Sequence, residues 1–281
     1  MNTGNYGIFY VAAGQKYIDE ACKSAKSLKN INHTLKISIA CNQKPEEEDL
    51  FDRIIVIDET VTCRNEGLLF KTKYLYDLSP YQKTLFVDTD TFFIGDIESG
   101  FAILDYFDVS MTLDPPDSYF PKLSSGEKIN CKPVNTGVIF YRKNEANKLL
   151  FQKWLEIYSE KLAQNPRLKE SDQTSCTEAL MHSNSRFYPL SAEWNTRFCF
   201  INTLKEPVKI LHAYSRNMEK IGKLVNLKSN KLRVWVPHLG RCIVFRPYTW
   251  KHKLGKIRDR TIKVWNSVIK SRAKTSSHSM K

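Results

Sequence analysis

The sequence predicts an α/β domain with a mostly parallel, mixed central sheet flanked by helices, and three observations carry that expectation. Short apolar runs of strand length alternate with longer amphipathic stretches from Tyr6 to Tyr214. The chain has 281 residues, which suits one large domain or one domain with an appendage. Its 42% hydrophobic and 12% aromatic content fills a sizeable core, and neither a repeat nor a long Gly/Ser or Pro-rich linker divides it.

Tyr6–Ala13 is a short apolar run ending at Gly14 and predicts a buried strand. Tyr17 to Leu28 follows with apolar residues at Ile18, Ala21, Cys22, Ala25 and Leu28, the spacing of a helix laid on a sheet. Leu35–Cys41 and Arg53–Ile57 predict the next strands, separated by the acidic turn Glu46–Asp49. Gly67–Leu78 predicts a helix that stops at Ser79-Pro80, because the residue before a proline is disfavoured in helical geometry. Thr84–Val87, Asp108–Leu113 and Thr136–Tyr141 read as strands. Asn144 is placed to cap a helix with the stripe Leu150, Trp154, Ile157 and Leu162, and Ser171 to cap another running to Met181. Val208–Leu211 is the last expected strand of a domain drawn as residues 1–225.

Charge sets the remainder, 226–281, apart. Of 43 basic and 30 acidic residues, 15 basic and one acidic lie from Lys228 to Lys281, so this stretch is +14 and the first 227 residues are −1. Lys251–Arg272 places Leu254, Ile257, Thr261, Trp265 and Val268 on one helical stripe among Lys and Arg. That is the composition of a helix lying on an anionic membrane surface. Nucleic acid is the less favoured partner, since no recognised binding module accompanies the charge. Seven scattered cysteines without zinc-ligand spacing point to a reducing compartment. With no apolar run of spanning length and no signal-like start, a cytoplasmic protein, peripheral at the inner face of a membrane, is expected.

The chemistry is most legible in Thr84-Leu-Phe-Val-Asp-Thr-Asp-Thr-Phe-Phe-Ile-Gly-Asp96. Asp88 and Asp90 follow a buried strand directly, and apolar residues resume at Phe92. Carboxylates in such surroundings are costly unless paired or holding a cation. Two oxygen donors at a strand end can chelate Mn²⁺ or Mg²⁺ and leave coordination positions for phosphate.

This segment resembles the D-x-D element of GT-A-type glycosyltransferases, especially the glycogenin and galactosyltransferase-like group classed as family 8. The resemblance covers about Tyr6 to Tyr214 in order and spacing of elements. It implies a GT-A nucleotide-diphospho-sugar transferase fold and a metal held by Asp88 and Asp90 against the diphosphate of a donor sugar. It further implies that Ala12, Ala13 and Gly14 receive base and ribose, and that Lys71 contacts the donor, with Lys73 as the alternative. Asn135-Thr-Gly137 resembles the family's N-x-G element, where the asparagine meets donor sugar or acceptor. Asp172-Gln173 resembles its D-Q pair beside the transferred sugar, and His212 its third metal ligand. The family's glycine, lysine, proline and tryptophan pattern after that histidine is incomplete in Ala213–Lys223, where Arg216, Lys220 and Lys223 are candidates for the diphosphate.

The reaction so implied transfers a sugar, from a UDP-sugar by preference, to a glycan or lipid-linked acceptor. If the outcome is inversion, Asp172 is the first candidate for the base; if retention, no conventional base is obligatory. Val87-Asp-Thr-Asp-Thr91 also matches the nucleophile motif of haloacid-dehalogenase-like phosphatases, which need a later aspartate pair that is missing beyond Asp117. A third alternative is a non-catalytic protein that binds anionic lipid or nucleic acid through its basic tail.

Overall fold

The computed structural model describes residues 5–115, 121–168 and 172–245, together with Ile262. The chain opens with β1 (Tyr6–Ala12), α1 (Gln15–Lys29), β2 (Ile37–Cys41), β3 (Arg53–Val56), α2 (Arg64–Tyr74) and β4 (Lys83–Val87). It continues through β5 (Thr91–Phe93), β6 (Val109–Leu113), β7 (Val134–Arg142), α3 (Glu145–Gln164), α4 (Gln173–Met181) and β8 (Phe187–Leu190). β9 (Thr196–Arg197), β10 (Asn202–Leu204), β11 (Ile210–His212), α5 (Met218–Val225), β12 (Arg233–Val236) and β13 (Arg241–Val244) complete it.

The central sheet has the order β3-β2-β1-β4-β7-β6-β8. Its first four strands are parallel, as strand–helix alternation requires. β7 runs antiparallel to both β4 and β6, and β6 is parallel to β8, so the sheet is mixed. One face is covered by α1 through Ile18, Ala21, Cys22, Ala25 and Leu28. The other carries Phe70 of α2, Leu150, Trp154 and Ile157 of α3, and Cys176 and Ala179 of α4. Asn144 caps α3 as expected, its Oδ1 accepting from Asn147 N at 2.8 Å. Ser171, the expected cap of α4, lies outside the described residues. α2 begins at Arg64, ahead of the expected Gly67, and ends before the expected Leu78.

The expected last strand is not part of the central sheet. As β11 it pairs antiparallel with β5 and parallel with β9, placing His212 inside the strand and opposite Thr91. Two compact units divide the chain at Met1–Ile243 and Val244–Lys281. β12 carries the first unit past residue 225: Trp235 shares a core with Leu204, Val208, Leu211 and Val225. Arg233 of β12 is fully buried, its guanidinium donating to the carbonyls of Val225 and Glu206 at 2.8 and 2.9 Å. No helix among the described residues is long and apolar enough to cross a membrane. Apart from Ile262, the basic stretch Lys251–Arg272 lies outside them.

Candidate active site

β4 ends in the buried residues Leu85, Phe86 and Val87, so Asp88 emerges from the sheet at its carboxyl end, where open α/β sheets bind ligands. Asp88 N donates to Gly137 O of β7 at 2.8 Å. Its own carbonyl accepts from Thr91 Oγ1 at 2.8 Å, turning the chain into β5. Because β5 pairs with β11, this turn brings the aspartates to His212. His212 Nε2 lies 3.3 Å from Asp90 Oδ1 and 3.8 Å from Asp88 Oδ2. One donor atom from each of the three residues lies within 4.8 Å of the others.

The imidazole is oriented for a cation. Its Nδ1 is 2.9 Å from Asn195 Oδ1, an oxygen that can only accept, so Nδ1 bears the hydrogen and the Nε2 lone pair faces the carboxylates. Two carboxylates and an imidazole fit Mn²⁺ or Mg²⁺ in donor chemistry. Burial pushes the Asp88 carboxyl above its ordinary range against the pull of Lys71. The residue after His212, Ala213, sits at φ 120°, a backbone region costly for a side-chain-bearing residue and retained mostly at functional sites.

Behind the aspartates, Lys71 of α2 is 5% exposed. Its ammonium lies 2.7 Å from Asp172 Oδ2 and 3.5 Å from Asp88 Oδ1. Burial alone would lower its pKa, but Asp172 and then Asp88 outweigh it and hold Lys71 above the ordinary lysine value. Thr136 Oγ1 donates to Asp172 Oδ1 at 3.2 Å, so both oxygens of that carboxylate have partners. Beside it lies a buried amide cluster. Asn135 Nδ2 donates to Asp114 Oδ1 at 2.8 Å and to Gln173 Oε1 at 3.0 Å, and Gln173 Nε2 donates to Asp114 Oδ2 at 2.9 Å. Arg197 reaches Asp114 Oδ1 at 3.4 Å and stacks on Phe200. These residues line one cleft of about 970 Å³.

Comparison with known proteins agrees with this architecture. The profile of the nucleotide-diphospho-sugar transferase family matches residues 82–224, a span that runs from β4 through the D-x-D turn and His212 into α5. The chain belongs to this family. No curated protein matches the sequence. Among solved structures, the apo form of the glycosyltransferase GlyE of Streptococcus pneumoniae TIGR4 is similar with a TM-score of 0.51 at 16% identity, over 77% of this chain and 56% of that one. Mouse xyloside xylosyltransferase 1, also apo, gives 0.52 at 14% identity over 74% of this chain and 97% of that one. The apo bifunctional glycosyltransferase WbbM gives 0.52 at 12% identity over 76% and 46%. The chain therefore spans only about half the length of GlyE and WbbM. At such identities the likeness establishes the shared GT-A fold.

Within this family member, the cleft gathers Ala12, Ala13, Lys71, Asp88, Asp90, Asn135, Asp172, Gln173 and His212, all singled out from the sequence. The remaining candidates fall elsewhere. Gly14, at φ 94°, does not line the cleft; its N–H donates to Asn42 Oδ1 at 2.8 Å, so it serves the turn between β1 and α1. Lys223 is on the exposed face of α5, while Arg216 and Lys220 line an adjoining cleft that shares Asp90 and Tyr214. Lys73 pairs with Glu59 at 2.9 Å, away from the aspartates, so of the two lysines on α2 it is Lys71 that reaches the site. The phosphatase alternative yields to the family assignment: Asp88 and Asp90 are completed by a histidine on an antiparallel strand.

Asp114, Asn195 and Arg197 were missed. Asp114 had a signal, since it follows the expected strand Asp108–Leu113 at its carboxyl end. Asn195 and Arg197 had none, lying just before and within a strand of two residues. Gly137 gains a role too: a Cβ there would overlap the His212 ring, 2.7 Å from Nδ1. Gly137→Ala is therefore expected to displace the imidazole and weaken Mn²⁺ binding by about ten- to a hundredfold with the fold retained, read by electron paramagnetic titration of the metal.

Proposed function

We propose that this protein transfers a hexosyl group from a nucleoside-diphosphate donor, a UDP-sugar by preference, to a hydroxyl of a glycan or lipid-linked acceptor. The observation that carries this reading is the meeting of Asp88, Asp90 and His212 beside Lys71, Asp172, Gln173 and Asn135 in one cleft of a nucleotide-diphospho-sugar transferase fold. Asp88, Asp90 and His212 would hold a divalent cation, which would supply Lewis-acid neutralisation of the charge on a departing diphosphate.

The chain's own groups do the rest. Small side chains at Ala12 and Ala13 let a nucleoside approach the end of β1 closely. Gln173, fixed by Asp114 and backed by Asn135, presents its amide to sugar hydroxyls. Asp172 has both oxygens engaged by Lys71 and Thr136, which favours a role in placing charge under the sugar over that of a mobile base. The +14 charge of residues 228–281 supports an acceptor presented at an anionic, inner membrane surface.

The test is calorimetric titration of UDP and of GDP, each with Mn²⁺ and with chelator, into wild type and Asp90→Asn. Mn²⁺-dependent binding of one nucleotide is expected, lost in the variant. Neither nucleotide binding to a folded wild-type protein would overturn the reading.

A further inference from the structure

The buried amides behind the cleft are arranged in only one hydrogen-bonding sense, and that sense begins at Asp114. A carboxylate can only accept, so Asn135 and Gln173 must both turn their NH₂ groups toward it. Asn135 Oδ1 then faces away, where it accepts from Gly137 N at 3.1 Å and from Asn195 Nδ2 at 2.7 Å. Asn195 gives its other hydrogen to Thr112 Oγ1 at 3.2 Å, so its carbonyl faces His212 Nδ1. We propose that Asn195 is the positioning residue joining the two halves of the site: its Oδ1 sets the His212 tautomer and its NH₂ sets the Asn135 amide, so that Asp114, on the sugar side, dictates which imidazole nitrogen faces the cation.

Asn195 is 3% exposed and does not line the cleft, so it acts through its neighbours alone. Its two ends are separable. In Asn195→Asp the carboxylate still accepts from His212 Nδ1, but it places an acceptor against Asn135 Oδ1 and Thr112. In Asn195→Leu both ends are lost at similar volume. The inference rests on the cation reading, so the first measurement is Mn²⁺ affinity of the full chain by electron paramagnetic titration, without nucleotide.

Wild type is expected to bind Mn²⁺, Asn195→Asp to stay within about threefold of it, and Asn195→Leu to bind about ten- to a hundredfold more weakly. Unchanged affinity in folded Asn195→Leu overturns the proposal, as does equal loss in both variants. If the leucine variant does not fold, the His212 tautomer of wild type decides. Long-range proton–nitrogen spectra of wild type give an answer independent of any variant: His212 protonated at Nδ1 supports the chain of hydrogen bonds, and protonation at Nε2 alone overturns it. Failure of wild type to bind Mn²⁺ would remove the cation reading and Asn195's metal role together, while the spectrum would still decide the tautomer.

Discussion

Lys71→Met is expected to lower the unfolding free energy by about 3–5 kcal/mol and to abolish measurable sugar transfer. Among the described residues, the lysine is the one cation paired with both Asp172, whose side chain is 2% exposed, and Asp88. Removing it leaves Asp172 as an uncompensated charge in a buried position, or forces it to take up a proton. Its folded pKa lies above the ordinary 10.5, so wherever its carboxylate partners are ionised the ion pairs contribute in full below that pH. They weaken only as pH rises through the still higher folded value, and the loss at neutral pH is therefore complete. Urea denaturation of Lys71→Met and of Lys71→Met/Asp172→Asn separates the two roles. The second change is expected to recover most of the stability, because it removes the orphaned charge, but none of the transfer. Recovery of transfer in the double variant would show that Lys71 serves only to neutralise Asp172.

Arg233→Met is expected to cost about 3 kcal/mol or more, although the residue touches nothing in the cleft. Its guanidinium is 0% exposed and has no carboxylate hydrogen-bond partner among the described residues. It is held instead by carbonyls: Val225 at the last turn of α5, Ser229 at 3.1 Å, and Glu206. A cation at a helix C-terminus meets the negative end of the helix dipole, and these acceptors would be left buried and unpaired. Arg233→Lys should recover only part of the loss, since an ammonium cannot span acceptors on both sides as the planar fork does. α5 follows directly on the segment Ala213–Asn217 beside Asp90, so hydrogen exchange of its amides should accelerate in Arg233→Met before the central sheet is affected. Uniform acceleration across the sheet would mean that α5 is not a separate unit of stability.

These two residues mark the boundary between what was legible in the chain and what was not. Lys71 was singled out, but beside Lys73, because a helix carries both and its phase against neighbours is set by packing. α2 turns Lys71 inward under Asp172 and leaves Lys73 to Glu59. Arg233 was read as part of a basic tail. Composition places arginine in solvent, and only the carbonyls converging from α5 and Glu206 make a buried position tolerable.

The sequence alone determined the alternation of buried strands with amphipathic helices, the cap at Asn144 and the carboxylate pair after β4. Each is a local pattern: period, capping chemistry or adjacency within a few residues. The tertiary structure decided the antiparallel insertion of β7 between β4 and β6, the pairing of β5 with β11 that carries His212 to Asp90, and the recruitment of Asp114 and Asn195. Strands of two or three residues, such as β5 and β9, are too short for any periodicity to announce them. Their pairing is chosen by the burial and hydrogen bonding of segments far apart in the chain, and no local pattern encodes that choice.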